Sequence, residues 1–167
     1  MKPPDLQQLL IEFTADRLAL LQRHEAGARV VAHYDFNNTY QYVIAREETH
    51  VGWLLNALAD CDAGPPKATE TLAVPSIVTS RTASPDVYRL ILEDDAKQLG
   101  SFVERWRPRV AAMTHARHRT MLDVVLGESL EHQRLFAQAG TGLENVLGRR
   151  TTESPRTGSV LPTRWVE

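Results

Sequence analysis

Apolar residues recur at helical spacing in four stretches of the chain, separated by glycine, proline and small polar residues. The spacing predicts four helices, over residues 5–27, 36–60, 86–107 and 116–139. Gly27 and Pro108 mark the expected ends of the first and third helices, and Ser84 is the expected cap of the third. The pattern predicts an all-α antiparallel four-helix bundle over residues 1–140, with a long crossover at 61–84 and an extended tail at 141–167.

Composition narrows the class of protein. The 167 residues are 43% hydrophobic and 24% charged with a net charge of −2, which fits one globular domain and excludes a basic nucleic-acid-binding field. The single Cys61 cannot form an intrachain disulfide, and no apolar run is long enough to cross a membrane. We therefore expect a cytoplasmic protein with neither nucleic acid nor membrane as a partner.

The two halves of the chain match weakly at an offset of 81 residues, and the match includes acidic positions. Glu12 falls on Glu93 and Glu47 falls on Glu128, and the members of each hairpin are separated by 35 residues. In an antiparallel hairpin, opposed residues lie equally far from the turn. The equal separations therefore predict that four glutamates lie at one height in the bundle.

A histidine follows one of these acids at the spacing that metal-binding bundles use. Glu47 and His50 are three residues apart and so share a helix face, which is the pattern of carboxylate bundles with two iron or manganese ions. In the fourth helix, Glu131 takes the corresponding position after Glu128, and His132 follows one residue later. Either Glu131 or His132 is the expected ligand there. Bridging carboxylates would neutralise and join two cations, and imidazole suits iron.

At this point the chain resembles the ferritin-like superfamily, in particular its rubrerythrin-like and ferritin groups. The resemblance spans about residues 5–139 and rests on the second-helix segment Ile44-Ala45-Arg46-Glu47-Glu48-Thr49-His50. It implies two irons per chain, with manganese as the alternative metal. The implied ligands are Glu12, Glu47 and His50 for one ion and Glu93 and Glu128 for the other, with Glu47 and Glu128 bridging.

The resemblance also implies an activity. A centre of this kind is expected to make the chain a ferroxidase- or peroxidase-type oxidoreductase acting on Fe(II) with O2 or on peroxide, with no catalytic residues beyond the metal ligands. The chain has no Cys-x-x-Cys electron-transfer module, so an external electron donor is implied. A homodimer is the expected assembly, and Trp165 is expected to anchor the tail on the bundle or on a neighbouring subunit. Glu47→Ala is expected to remove metal and leave a folded bundle.

Several alternatives remain open. Asp16 is the reserve for Glu12, and Asp95 is the reserve for Glu93. A DinB-like bundle would bind a single metal ion, with His50 and His132 as two of its ligands. A third hypothesis is a metal-free helical module that binds a partner protein.

Overall fold

The computed structural model describes residues 3–78 and 84–148, and these contain four long helices and no strand. The helices are α1 (Pro3–Val30), α2 (Tyr34–Ala59), α3 (Arg89–Ala111) and α4 (Ala116–Gly140), and a short 3₁₀ turn, Pro85–Tyr88, leads into α3. The predicted all-α four-helix bundle is therefore confirmed. The tail residues 149–167, including Trp165, lie outside the described residues, while 141–148 form turns after α4.

The helices pair as two antiparallel hairpins. Short connections at 31–33 and 112–115 join α1 to α2 and α3 to α4, and each of these pairs packs closely. Residues 61–78 contain neither helix nor strand, as expected for the crossover. One point of the crossover is fixed on α1, where Thr69 donates its backbone N–H to the Ala15 carbonyl.

Contacts between the hairpins fix their relative direction. Phe13 packs against Trp106 with ring centroids 4.9 Å apart, and ten residues further along α1, Arg23 binds Asp95, which precedes Trp106 in α3. Helices α1 and α3 therefore run antiparallel. Since α1 is also antiparallel to α2, helices α2 and α3 run parallel, and this agrees with a crossover that returns along the bundle.

Two residues expected to break helices lie inside them. α1 continues past Gly27 to Val30. The glycine allows a close contact between α1 and α2, since a Cβ atom at this position would lie 2.8 Å from Cε1 of Tyr40. α3 continues past Pro108 to Ala111. Proline lacks a backbone N–H, so it removes one hydrogen bond, and it does so only in the last turn of this helix. Both predicted helix ends were wrong by three or four residues.

The caps also differ in part from the expectation. Ser84 accepts the Asp86 backbone N–H at 3.4 Å, as predicted for the start before α3. α2 was predicted to begin at residue 36, but it begins at Tyr34, and its cap is His33, whose Nδ1 accepts the Phe36 N–H at 3.5 Å. The helix therefore begins earlier than predicted, and Asp35 lies in its first turn, where a carboxylate is stabilised by the helix dipole.

Candidate functional site

A cluster of ionisable side chains lies in the interior of the bundle, where an apolar core would be the usual content. All four helices contribute to it, and each member is at most 1% exposed. We call it the central cluster, and its members are Arg17, Arg23, His24, Glu47, His50, Asp95 and His132.

The guanidinium of Arg17 lies at the middle of the central cluster. From α1 it donates to Ser129 Oγ of α4 at 3.1 Å through Nη1, and Nη2 lies 3.0 Å from Glu47 Oε1 of α2. The same Nη2 lies 3.2 Å from His50 Nδ1. Arginine stays protonated in proteins and has no acceptor, so this side chain is a fixed cation that joins three helices.

Glu47 is the anion that balances Arg17. Its second oxygen accepts a hydrogen bond from His24 Nδ1 at 2.8 Å. Burial alone would raise the pKa of Glu47, but the charges of Arg17 and then His24, together with the His24 hydrogen bond, lower it to about 2. The carboxylate is therefore ionised at neutral pH although it is fully buried.

A second ionic group lies next to the first. Arg23 Nη2 lies 3.2 Å from Asp95 Oδ1 and 3.1 Å from Asp94 Oδ2, and the hydroxyl of Tyr40 donates to Asp95 Oδ2. Burial raises the pKa of Asp95, and burial followed by the Asp95 charge raises the pKa of Tyr40 well above its usual range. His24 Nε2 lies 3.8 Å from Asp95 Oδ1, too far for a hydrogen bond, so the two ionic groups are neighbours with no hydrogen bond between these two atoms.

The central cluster reaches the surface between α2 and α4. His50 Nε2 lies 2.8 Å from Glu128 Oε2, and Arg46 binds both oxygens of Glu128 at 2.9 and 2.5 Å. Because Arg17 donates to His50 Nδ1, the imidazole proton resides on Nε2 and is donated to Glu128. Burial, followed by the charge of Arg17, lowers the pKa of His50 to about 4, so the ring is neutral at pH 7.

His132 completes the cluster from α4. Its ring stacks on that of His50 with centroids 6.2 Å apart, and burial lowers its pKa to about 3. Within the described part of the chain, His132 Nδ1 has no hydrogen-bond partner.

The structure brings together only some of the predicted metal ligands. Glu47, His50 and His132 converge in the interior, with Glu128 at the edge. The other three point to the surface and each binds an arginine at 2.6–2.7 Å: Glu12 with Arg109, Glu93 with Arg89 and Glu131 with Arg134. The predicted convergence of Glu12 and Glu93 with Glu47 and Glu128 was wrong, and of the two fourth-helix candidates it is His132 that faces inward.

The two reserve acids behave differently. Asp16 binds Arg105 at 2.9 Å and the indole N–H of Trp106 at 2.8 Å, away from Glu47. Asp95 faces inward, as one alternative anticipated. Sequence reasoning missed Arg17. The inward positions correspond when the two halves of the chain are aligned at an offset of 82 residues, which places His50 on His132 and Glu47 on Ser129.

These side chains do not fit a two-metal carboxylate centre. Such a centre needs a carboxylate from each of four helices, whereas α1 supplies the cation Arg17 at this level, and the α4 carboxylate Glu128 lies at the edge in an ion pair with Arg46. The guanidinium also engages Glu47 and His50, two of the donors that an ion would require. A buried cation beside the ligands disfavours binding of a second cation.

Comparison of the chain with family models, with curated proteins and with solved structures returned no match. Among the described residues, no helix is both long enough and apolar enough to cross a membrane. Resemblance to the ferritin-like superfamily stays a prediction. Any function for this bundle has to be inferred from its own residues.

We predict that Glu47→Ala destabilises the protein by about 3–5 kcal/mol, because it leaves Arg17 buried without its counter-charge. Chemical denaturation monitored by circular dichroism measures the change. The matched control is Glu12→Ala, which removes an exposed pair with Arg109 and should cost about 1 kcal/mol or less. A fully stable Glu47→Ala variant would contradict the role given to Arg17.

Acid should destabilise the native bundle in two stages. The pKa values of His50 and His132 are lowered from 6.5 to about 4 and about 3, so below pH 6.5 the unfolded chain binds protons that the native chain does not. Stability should fall by up to about 2.8 kcal/mol per pH unit between pH 6 and 4.5, about 1.4 for each proton. Below pH 4.5, Glu47 adds to the loss, since its native pKa is about 2.

Unfolding free energies measured from pH 7 to 4 test this dependence. His132→Asn should reduce the slope by about one proton, or about 1.4 kcal/mol per pH unit. Equal slopes in the wild type and in His132→Asn would show that His132 is not held neutral by burial.

Proposed function

We propose that this chain is a metal-independent helical bundle that acts as a protein-binding module, and not a di-iron oxidoreductase. The observation that carries the proposal is the position of the Arg17 guanidinium, which binds Glu47, His50 and Ser129 from the centre of the bundle. A carboxylate bundle needs cations to hold its acids together. Here a cation that is part of the chain performs that task.

The charges of the interior support a metal-free state. Two guanidiniums, those of Arg17 and Arg23, face the two buried carboxyl groups of Glu47 and Asp95. Glu47 and Asp95 therefore each already have a cationic partner within 3.2 Å. Adding divalent ions would place positive charge beside these guanidiniums, which is unfavourable in a low-dielectric interior.

The single-metal alternative through His50 and His132 has less support. Arg17 occupies His50 Nδ1, and the proton that this leaves on Nε2 is donated to Glu128. An ion could bind His50 only after one of these two hydrogen bonds is broken. His132 Nδ1 is unpaired within the described residues, but one imidazole does not make a stable site.

The surface between α2 and α4 is the part of the bundle best suited to binding. Three of its side chains are large, apolar or aromatic, and 36–44% exposed: Tyr42 and Trp53 from α2 and Val124 from α4. The Arg46–Glu128 ion pair lies among them. Aromatic residues and arginine are enriched where binding energy concentrates in protein interfaces. We call this surface the α2–α4 face.

The partner we propose for the α2–α4 face is a second copy of the chain. A two-fold dimer requires a surface that is complementary to itself. The face carries one arginine and one glutamate between aromatic side chains, so Arg46 of one copy can exchange its partner for Glu128 of the other. The external electron donor implied by an oxidoreductase has no place in this proposal.

Metal binding should be independent of the central cluster. We expect Glu47→Gln and His132→Ala to bind the same number of Fe(II) and Co(II) ions per chain as the wild type, measured by anaerobic equilibrium dialysis and elemental analysis. Glu131→Gln, at the surface, is the control. Loss of bound metal in both interior variants, with retention in the control, would support a metal centre in the interior and contradict the proposed function.

Self-association should depend on the α2–α4 face. Trp53→Glu and Tyr42→Glu place a charge in the proposed interface and should weaken dimerisation at least tenfold, measured by sedimentation equilibrium. Leu90→Glu is the matched control, because Leu90 is 55% exposed on α3, outside this face. A monomeric wild type, or equal weakening by the control, would contradict the proposed partner.

A further inference from the structure

Away from the central cluster, three potential metal ligands meet where α2 begins. His33 caps α2, Asp35 lies in its first turn, and Glu144 follows the end of α4. Their donor atoms all lie within 4.8 Å of one another. In residues 3–78 and 84–148 this is the one group of three His, Cys, Asp or Glu side chains with such convergence, and we call it the rim triad.

The surrounding structure holds His33, one member of the rim triad, in place. The His33 ring packs on Phe36 with centroids 4.4 Å apart. Asn37 Nδ2 donates to the carbonyls of Ala28 and Val31, at 2.7 and 3.1 Å, and so fixes the turn that carries His33. A side chain fixed in this way loses little conformational entropy when it binds an ion.

The triad is also open to solvent. The side chains of His33 and Glu144 are 18% and 26% exposed, whereas Asp35 is almost buried. An ion from solution can therefore reach two of the donors directly. The third donor forms the inner wall of the site.

The donor set suits a divalent transition ion. One imidazole and two carboxylates are ligands that zinc accepts at about 2.0–2.2 Å, with a water molecule as the fourth. His33 Nε2 lies 3.7 Å from Glu144 Oε1, close to the separation of two ligands on one ion. The two carboxylates of the triad repel each other, and a divalent cation between them removes that repulsion.

Binding would exchange one hydrogen bond for the metal bond. His33 Nδ1 accepts the Phe36 N–H at 3.5 Å, the longest distance at which such a bond counts. Coordination through Nε2 shifts the imidazole proton to Nδ1 and ends this weak cap. The cost is small because the bond is long.

We propose that the rim triad of His33, Asp35 and Glu144 binds one Zn(II) ion, which fastens the segment after α4 to the start of α2. The site shares no residue with the central cluster or with the α2–α4 face. It therefore goes beyond the proposed function and stands or falls separately from it.

The test uses the full chain, treated with a chelator and then titrated with zinc sulfate. We expect one zinc per chain at the rim triad by equilibrium dialysis, and a rise in melting temperature of roughly 5–10 °C at a hundredfold excess over Kd. Glu144→Gln and Asp35→Asn should each weaken binding at least tenfold and abolish most of the thermal shift.

A matched pair of variants separates the ligand from the helix cap. His33 and His115 cap α2 and α4 in the same way, each accepting the N–H of the residue three positions later. His33→Ala should lose both the cap and the zinc-dependent shift, whereas His115→Ala should lose only a cap and keep the full shift.

Three outcomes would overturn the proposal: no zinc bound by the wild type, an unchanged zinc response in Glu144→Gln, or an equal loss in His115→Ala. Glu47→Gln distinguishes the two proposals. If it loses zinc while Glu144→Gln retains it, the ion belongs to the central cluster, and both this inference and the metal-independent function are wrong. If both variants retain zinc, only the rim triad is wrong.

Discussion

The buried ion pair between Arg17 and Glu47 is the constraint on which the rest of the interior depends. Both side chains are fully buried, and neither could stay there alone, because an unpaired buried charge costs several kcal/mol. Arg17 also binds His50 and Ser129, so α1, α2 and α4 must keep the register that satisfies one planar guanidinium. A shift of any of these helices along the others would break at least one of the contacts of Arg17.

The Arg17–Glu47 pair also determines the orientation and the proton positions of the neighbouring histidines. Glu47 is held ionised, and it in turn orients His24, which approaches Asp95 on α3. On the opposite side, Arg17 sets the tautomer of His50 and directs its proton to Glu128 at the surface. Hydrogen bonds and ion pairs therefore run from His24 through Glu47, Arg17 and His50 to Glu128 at the surface, and Asp95 lies beside this series.

The sequence predicted the fold better than the site, for a physical reason. Helical periodicity reports which face of a helix is apolar, and this was enough for the four helices and their pairing. It does not report which ionisable residue lies inside, because arginine and glutamate normally lie at the surface. Glu12 and Glu93 are spaced like ligands but bind surface arginines, whereas Arg17, an unusual core residue, faces inward. Aligning the two halves of the chain at an offset of 81 residues pairs the glutamates, whereas an offset of 82 pairs the inward positions. The apolar residues match too weakly to distinguish the two alignments.

A guanidinium and a metal ion can both neutralise buried carboxylates, but with different consequences for the bundle. A bundle held together by metal is only as stable as its metal supply, since binding free energy then becomes folding free energy. Arg17 is covalently attached, so its occupancy is always complete, but it offers no open coordination position and no redox chemistry. In the proposed function the interior is complete without a metal ion, and binding takes place at the surfaces. The exposed aromatic side chains of the α2–α4 face and the solvent-accessible rim triad are the two surfaces for which we propose ligands.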